Sequence, residues 1–172
     1  MPTITKGSFS LDLKLFKLET ELSDEDRQCA WEFYAELATR VALVGKRGDK
    51  TAASFEGELY AENFESLFNF FREARSIMRR FPVGRMKNFS QEHLGVFINR
   101  CLANVIRPFL EKWRGKYFAW YTAAVRSSRS PYEVQKEFPD LKEMLEDWTA
   151  LRFLMRRAEQ TVAKQYKLIS LD

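Results

Sequence analysis

The sequence predicts an all-α protein, an antiparallel four-helix bundle with a short N-terminal strand or extended arm. Three observations carry this. Tyr60, Phe64, Leu67, Phe71, Ala74, Met78 and Phe81 are spaced four, three, four, three, four, three, which lines one face of a long helix with large apolar side chains. The same spacing recurs in Ala30, Tyr34, Leu37, Val41 and Val44, and in Met144, Trp148, Leu151, Met155, Ala158 and Val162. Seven glycines and five prolines among 172 residues, against 15 phenylalanines, argue against disorder and against a turn-rich β fold.

A chain of this length buries a core sufficient for one domain, so residues 1–172 read as a single unit: an arm over 1–22 and a helical body over 23–168. Phe9, Leu11, Leu13 and Leu15 alternate with Ser10, Asp12 and Lys14 before Phe16 and Leu18 shift the phase, a strand pattern, although a helical reading of 11–21 stays open. A lone strand leaves backbone groups unpaired and needs a mate. The neighbourhood of Tyr166, Leu168 and Leu171, a partner protein, or a second copy could supply it. Ser23 with Asp24, Glu25 and Asp26 opens the first helix, a hydroxyl cap followed by carboxylates at the positive end of the dipole. That helix is expected to reach about Val44. GKRGDKTAAS at 45–54 reads as a loop with a basic tip, and the second helix follows to Phe81, where Pro82 and Gly84 stop it.

Ser90, Gln91 and Glu92 open a third helix traced through Leu94, Ile98, Cys101, Val105, Phe109, Trp113 and Trp120 to about Val125. It contains Pro108, which removes an amide donor and crowds the carbonyl of Asn104, so either the helix bends or a new one begins there. SSRSP at 127–131 is a linker, and 140–167 form the last long helix. The expected packing unites 30–44, 60–81, 94–125 and 141–166.

Catalytic constellations are thin. His93, the single histidine, stands beside Glu92 in a first helical turn and reads as a surface or capping residue. One His with separated Cys29 and Cys101 cannot assemble a grouped metal site, and the two thiols suit small buried hydrophobes in a reducing compartment. Glu32 with Glu36, and Glu58 with Glu62, lie one turn apart and read as solvated faces or ion-pair partners. GKRGDKT lacks the spacing and preceding strand of a phosphate loop. No catalytic residue, metal site or cofactor is therefore assigned. With no signal peptide and no run of ~20 apolar residues, the expectation is a cytoplasmic protein without a membrane partner.

Charge is uneven: residues 1–65 hold 8 Lys/Arg against 13 Asp/Glu, and the remainder 20 against 11. Such asymmetry marks either a basic face for an acidic partner or acidic and basic helices packed side by side. Arg72, Arg75 and Arg79 form one helical stripe with Arg80 beside it, and Arg85 and Lys87 extend it into the following loop. This is a candidate nucleic-acid surface, because phosphate neutralisation needs several cations on one face. A second cluster joins Asn99, Arg100, Asn104, Arg107, Lys112 and Trp113. Either Asn104 or Arg107 satisfies carbonyls freed at Pro108, or the group lines a partner or ligand groove, with Arg107 and Trp113 as interface-prone types.

ELATRVAL at 36–43, SLFNFFREARSIMRR at 66–80 and NRCLANVIRPFLEKW at 99–113 resemble landmarks of an uncharacterised family of bacterial helical proteins, over about half the chain. In that pattern a histidine often follows the tryptophan where this chain has Arg114, which puts in question any role requiring the imidazole. The resemblance implies a bacterial, soluble accessory protein and brings no reaction with it. The leading expectation is a non-enzymatic interaction module that binds a protein partner or a second copy, in the setting of a bacterial multi-gene system such as one directed at phage. The alternative is a helical subunit that binds nucleic acid through the arginine stripe.

Overall fold

The computed structural model describes residues 3–12, 24–81, 94–125, 129–169 and 171. Ser23, Pro82, Gly84, Ser90, Gln91, Glu92 and His93, with Ser127 and Ser128 of SSRSP, lie outside them, as do residues 13–22 of the arm. The fold is all-α with one small two-stranded sheet.

The arm carries its own mate. β1 (Thr3–Lys6) pairs antiparallel with β2 (Phe9–Asp12), with Lys6 opposite Phe9. The strands meet through Gly7 and Ser8, and Gly7 takes a positive φ of 58°, the glycine requirement of a two-residue hairpin turn. The strand pattern within 9–12 is as expected, and the strand's mate is the preceding segment. Phe9 and Leu11 are buried, and Phe9 meets Phe109 at 6.4 Å between ring centroids. The hairpin is therefore held to the core by its inward side chains.

α1 (Asp24–Ala38) buries Ala30, Phe33, Tyr34 and Leu37. It stops six residues short of expectation. The Thr39 amide and hydroxyl both donate to the Ala35 carbonyl, at 3.1 and 2.7 Å. Arg40 is extended at φ −107° and ψ 105°, and α2 (Val41–Val44) then sets off in a new direction. Val41 consequently stands 42% exposed, while Ala42, Leu43 and Val44 are buried.

α3 (Tyr60–Arg80) buries Tyr60, Phe64, Leu67, Phe70, Ala74 and Ile77. Phe71 and Met78, members of the expected heptad, are only half-buried. A straight helix turns every 3.6 residues, so a seven-residue repeat drifts by about 20° per heptad and the core passes to the adjacent residues. No side chain at Leu59 caps this helix. Its first amide instead donates to the Gln135 side-chain oxygen at 2.9 Å, while Gln135 Nε2 donates to the Glu58 carbonyl at 2.8 Å. A buried amide far along the chain thus fixes where α3 begins.

The third helical stretch divides into α4 (Leu94–Cys101), a π-helical turn over Leu102–Ile106, and α5 (Arg107–Ala124). The Arg107 amide reaches back five residues to the Leu102 carbonyl. Widening the turn by one residue lets Pro108 enter in the first turn of α5, where its missing amide costs nothing. α6 (Pro131–Val134) and a 3₁₀ turn over Gln135–Glu137 lead to α7 (Leu141–Tyr166). There all six predicted core residues, Met144 to Val162, are buried.

Trp148 is the hub of the packing. It lies 4.8 Å from Phe64 and 5.0 Å from Phe109 between centroids, and its Nε1 donates to the Ala42 carbonyl at 2.8 Å. From the same helix, Arg152 and Arg156 organise the loop 45–59. Arg156 donates to the carbonyls of Val44, Asp49 and Lys46. Arg152, fully buried, donates to Glu58 at 2.5 Å and to the Ser54 carbonyl at 3.0 Å, and its guanidinium lies 4.0 Å from the Phe55 ring centroid. Gly45, at φ 68°, must be glycine here, since a Cβ would also stand 3.2 Å from Arg156. GKRGDKT is thus a loop clamped by α7. Among the described residues, no helix is long and apolar enough to cross a membrane.

Candidate nucleic-acid interface

At 3.6 residues per turn, Phe68, Arg72, Arg75 and Arg79 share an arc of about 60° on α3, away from the buried stripe. All four are exposed. On α5, Arg107, Glu111, Arg114 and Phe118 follow the i, i+4, i+7, i+11 spacing of a single stripe. The two stripes adjoin. The Arg107 and Arg75 guanidinium groups each lie 5.8 Å from the Phe71 ring centroid, and Arg114 lies 4.8 Å from Phe68 and 5.3 Å from Phe118. Phe71 meets Arg107 and Phe68 meets Arg114, so contacts move down α3 as they move up α5, and the helices run antiparallel.

The result is a face on which rings and guanidinium groups are interspersed, Phe68 and Phe118 within the two stripes and Phe71 in contact with an arginine of each. Its stripes carry five arginines. Arg114 pairs with Glu65 at 2.8 Å, and its Nε is buried without a hydrogen-bond partner. Among the described residues, no carboxylate pairs with Arg72, Arg75, Arg79 or Arg107. Stacked planar cations of this kind offer both charge and a π surface.

The structure redistributes the sequence-predicted residues. Arg80 turns about 100° away from Arg79 and pairs with Glu32 of α1, so it leaves the stripe. Arg85 and Lys87 lie outside the described residues. Asn104 and Arg107 are exposed. The π turn, rather than either side chain, accommodates Pro108. Arg107 joins the α3 arginines. Asn99 is exposed and Arg100 half-buried at the end of α4.

Lys112 and Trp113 belong elsewhere. Trp113 is 1% exposed and its Nε1 donates to Asp147 at 2.9 Å, while Lys112 bridges Asp147 and Glu143 at 2.8 and 2.7 Å. Hydrogen bonds to Asp147, then to Glu143, push the Lys112 pKa up. This is an α5–α7 structural joint, and Trp113 is part of the core rather than exposed on a surface. The carboxylate pairs are likewise divided: Glu36 binds Arg40, Glu32 binds Arg80 and Glu58 binds Arg152.

Phe68, Arg114 and Phe118 were not singled out from sequence. The signal available was the seven-residue separation of Arg107 and Arg114 on a helix otherwise read for its core. Elsewhere, an open pocket of ≈ 470 Å³ is lined by Tyr34, Val44, Gly45, Arg156 and Glu159 among others. Burial raises the Glu159 pKa against the opposing pull of Arg47 and Arg156. Among the described residues, no three His, Cys, Asp or Glu side chains group as metal ligands do. Comparison of the chain with protein-family models, curated proteins and solved structures found no match.

Proposed function

We propose that this chain is a helical binding module that engages nucleic acid through the α3–α5 face. The observation that carries the reading is the alignment of Arg72, Arg75 and Arg79, exposed and without carboxylate partners among the described residues. Like charges at i,i+3 and i,i+4 destabilise a helix by about 0.2–0.5 kcal/mol per pair. The fold gains nothing from that repulsion, whereas a polyanion reverses its sign and releases counterions on binding. Arg107 continues the cationic surface across the helix boundary, and the intervening rings supply the aromatic interleaving that nucleic-acid surfaces use.

A protein-interaction role motivated by an unmated strand loses that motive, because β1 pairs β2. An accessory subunit of a bacterial multi-gene system, of the kind directed at phage, is a setting in which such a module would serve.

Reversing charge at Arg72, Arg75 and Arg79 together should abolish retention of RNA and DNA in a low-salt filter-binding assay while leaving helicity unchanged. Arg80→Glu, on the other side of α3, should bind like the parent. Loss of binding in Arg80→Glu equal to that of the triple variant would show net charge rather than this face to be responsible. Absence of retention by the parent would overturn the proposal.

A further inference from the structure

We infer that the α3–α5 face selects single strands over duplexes, with Phe68 as the platform on which a nucleobase stacks; this rests on the nucleic-acid reading above. Rings are interspersed with the cations, and Glu111 stands in the α5 row between Arg107 and Arg114. Phe71 contacts both Arg75 and Arg107, and Arg114 contacts both Phe68 and Phe118. Packed helix axes stand roughly 8–10 Å apart. A duplex presents phosphates and sugars to such a convex pair and leaves the rings without a partner. A single strand can place its backbone along the arginines while unstacked bases turn onto the rings.

Phe68 is the ring best placed for this. It is 38% exposed, a large apolar side chain at the surface, covered on one side by the Arg114 guanidinium at 4.8 Å. Arg114 occupies the position of a planar stacking partner between Phe68 and Phe118. It holds one ion pair, to Glu65, which is itself half-exposed at 51%. Its Nε has no hydrogen-bond partner, so its present position is incompletely satisfied. Outward rotation would deliver this guanidinium to a phosphate and open the ring faces to a base. Recognition of this kind reads no particular sequence, because every base has a π face.

The test compares a labelled oligouridylate with a duplex of equal length by fluorescence anisotropy at low salt, using the full chain and its Phe68→Ala and Phe68→Trp variants. The parent should bind the single strand more tightly than the duplex. Phe68→Ala should weaken single-strand binding at least about fivefold, the lower end of stacking losses on alanine substitution, and leave duplex binding and the melting temperature unchanged. Phe68→Trp should retain affinity, and its added indole fluorescence should be quenched by the single strand. Duplex affinity equal to or above single-strand affinity, or unaltered binding by Phe68→Ala, would overturn this inference while leaving the nucleic-acid reading in place. Failure of the parent to bind either probe would remove both.

Discussion

Glu58→Ala should be among the most damaging single substitutions in this protein. Arg152 is fully buried, and the Glu58 carboxylate at 2.5 Å is its sole ionic partner among the described residues. Burial pushes the Arg152 pKa down, opposed by the hydrogen bond to Glu58. Without the carboxylate, the guanidinium keeps only the Ser54 carbonyl and the Phe55 ring. An uncompensated buried charge of this kind costs about 3–5 kcal/mol. For a chain of this size each kcal/mol moves the melting temperature by roughly 2–4 °C, so the expected fall is about 6–20 °C. Replacing the whole pair, as Glu58→Leu with Arg152→Met, should recover most of the loss, because apolar substitutes for a buried ion pair are often neutral or stabilising. Thermal melts followed by circular dichroism near neutral pH, on the parent, Glu58→Ala, Glu58→Leu, Arg152→Met and the double variant, give the loss and the coupling directly. A Glu58→Ala variant melting within about 2 °C of the parent, less than 1 kcal/mol by the same conversion, would refute the reasoning.

Two further predictions concern stability. Phe70→Ala should cost about 3–5 kcal/mol as a core deletion, and Phe71→Ala clearly less, because Phe70 is fully buried and Phe71 only partly so; equal losses on urea unfolding would restore the strict heptad. Hydrogen bonds from the Thr51 hydroxyl and the Ser54 amide hold the Asp49 carboxyl well below the usual carboxylate range. A depressed folded pKa stabilises above the unfolded value of ~3.9 and loses that stabilisation as pH falls through the folded pKa. Asp49→Asn should therefore melt below the parent near neutral pH, with the gap closing progressively on acidification below about pH 4; a gap that is constant or widens in acid would contradict the assignment.

Periodicity made α7 readable because a continuous helix repeats its burial and no local device interrupts it. The end of α1 was not readable in the same way. The extended Arg40 diverts the chain, and the reason for diverting it is tertiary: Ala42 and Val44 offer their carbonyls to Trp148 and Arg156, over a hundred residues later. In α3, reading a seven-residue repeat in a helix of 3.6 residues per turn exchanged Phe71 for Phe70. Pro108 announced a disruption, but an extra residue in the turn looks no different in sequence from a kink.

The arginine stripe was visible as spacing on one helix. Its extension to Arg107, Arg114 and Phe68 depends on α3 and α5 lying side by side, and its shortening by Arg80 depends on α1. Trp113 shows the limit of residue type as a guide, since an interface-prone side chain proved to be core with its one donor satisfied by Asp147.

The salt dependence of single-strand affinity tests the central claim most directly. If Arg72, Arg75, Arg79, Arg107 and Arg114 each neutralise one phosphate, log K should fall against log salt concentration with a slope of about −3.5, at roughly 0.7 per contact. Replacing Arg72, Arg75 and Arg79 with alanine should flatten it to about −1.4. A parent slope near zero, or the same slope in parent and variant, would contradict a phosphate-binding α3–α5 face.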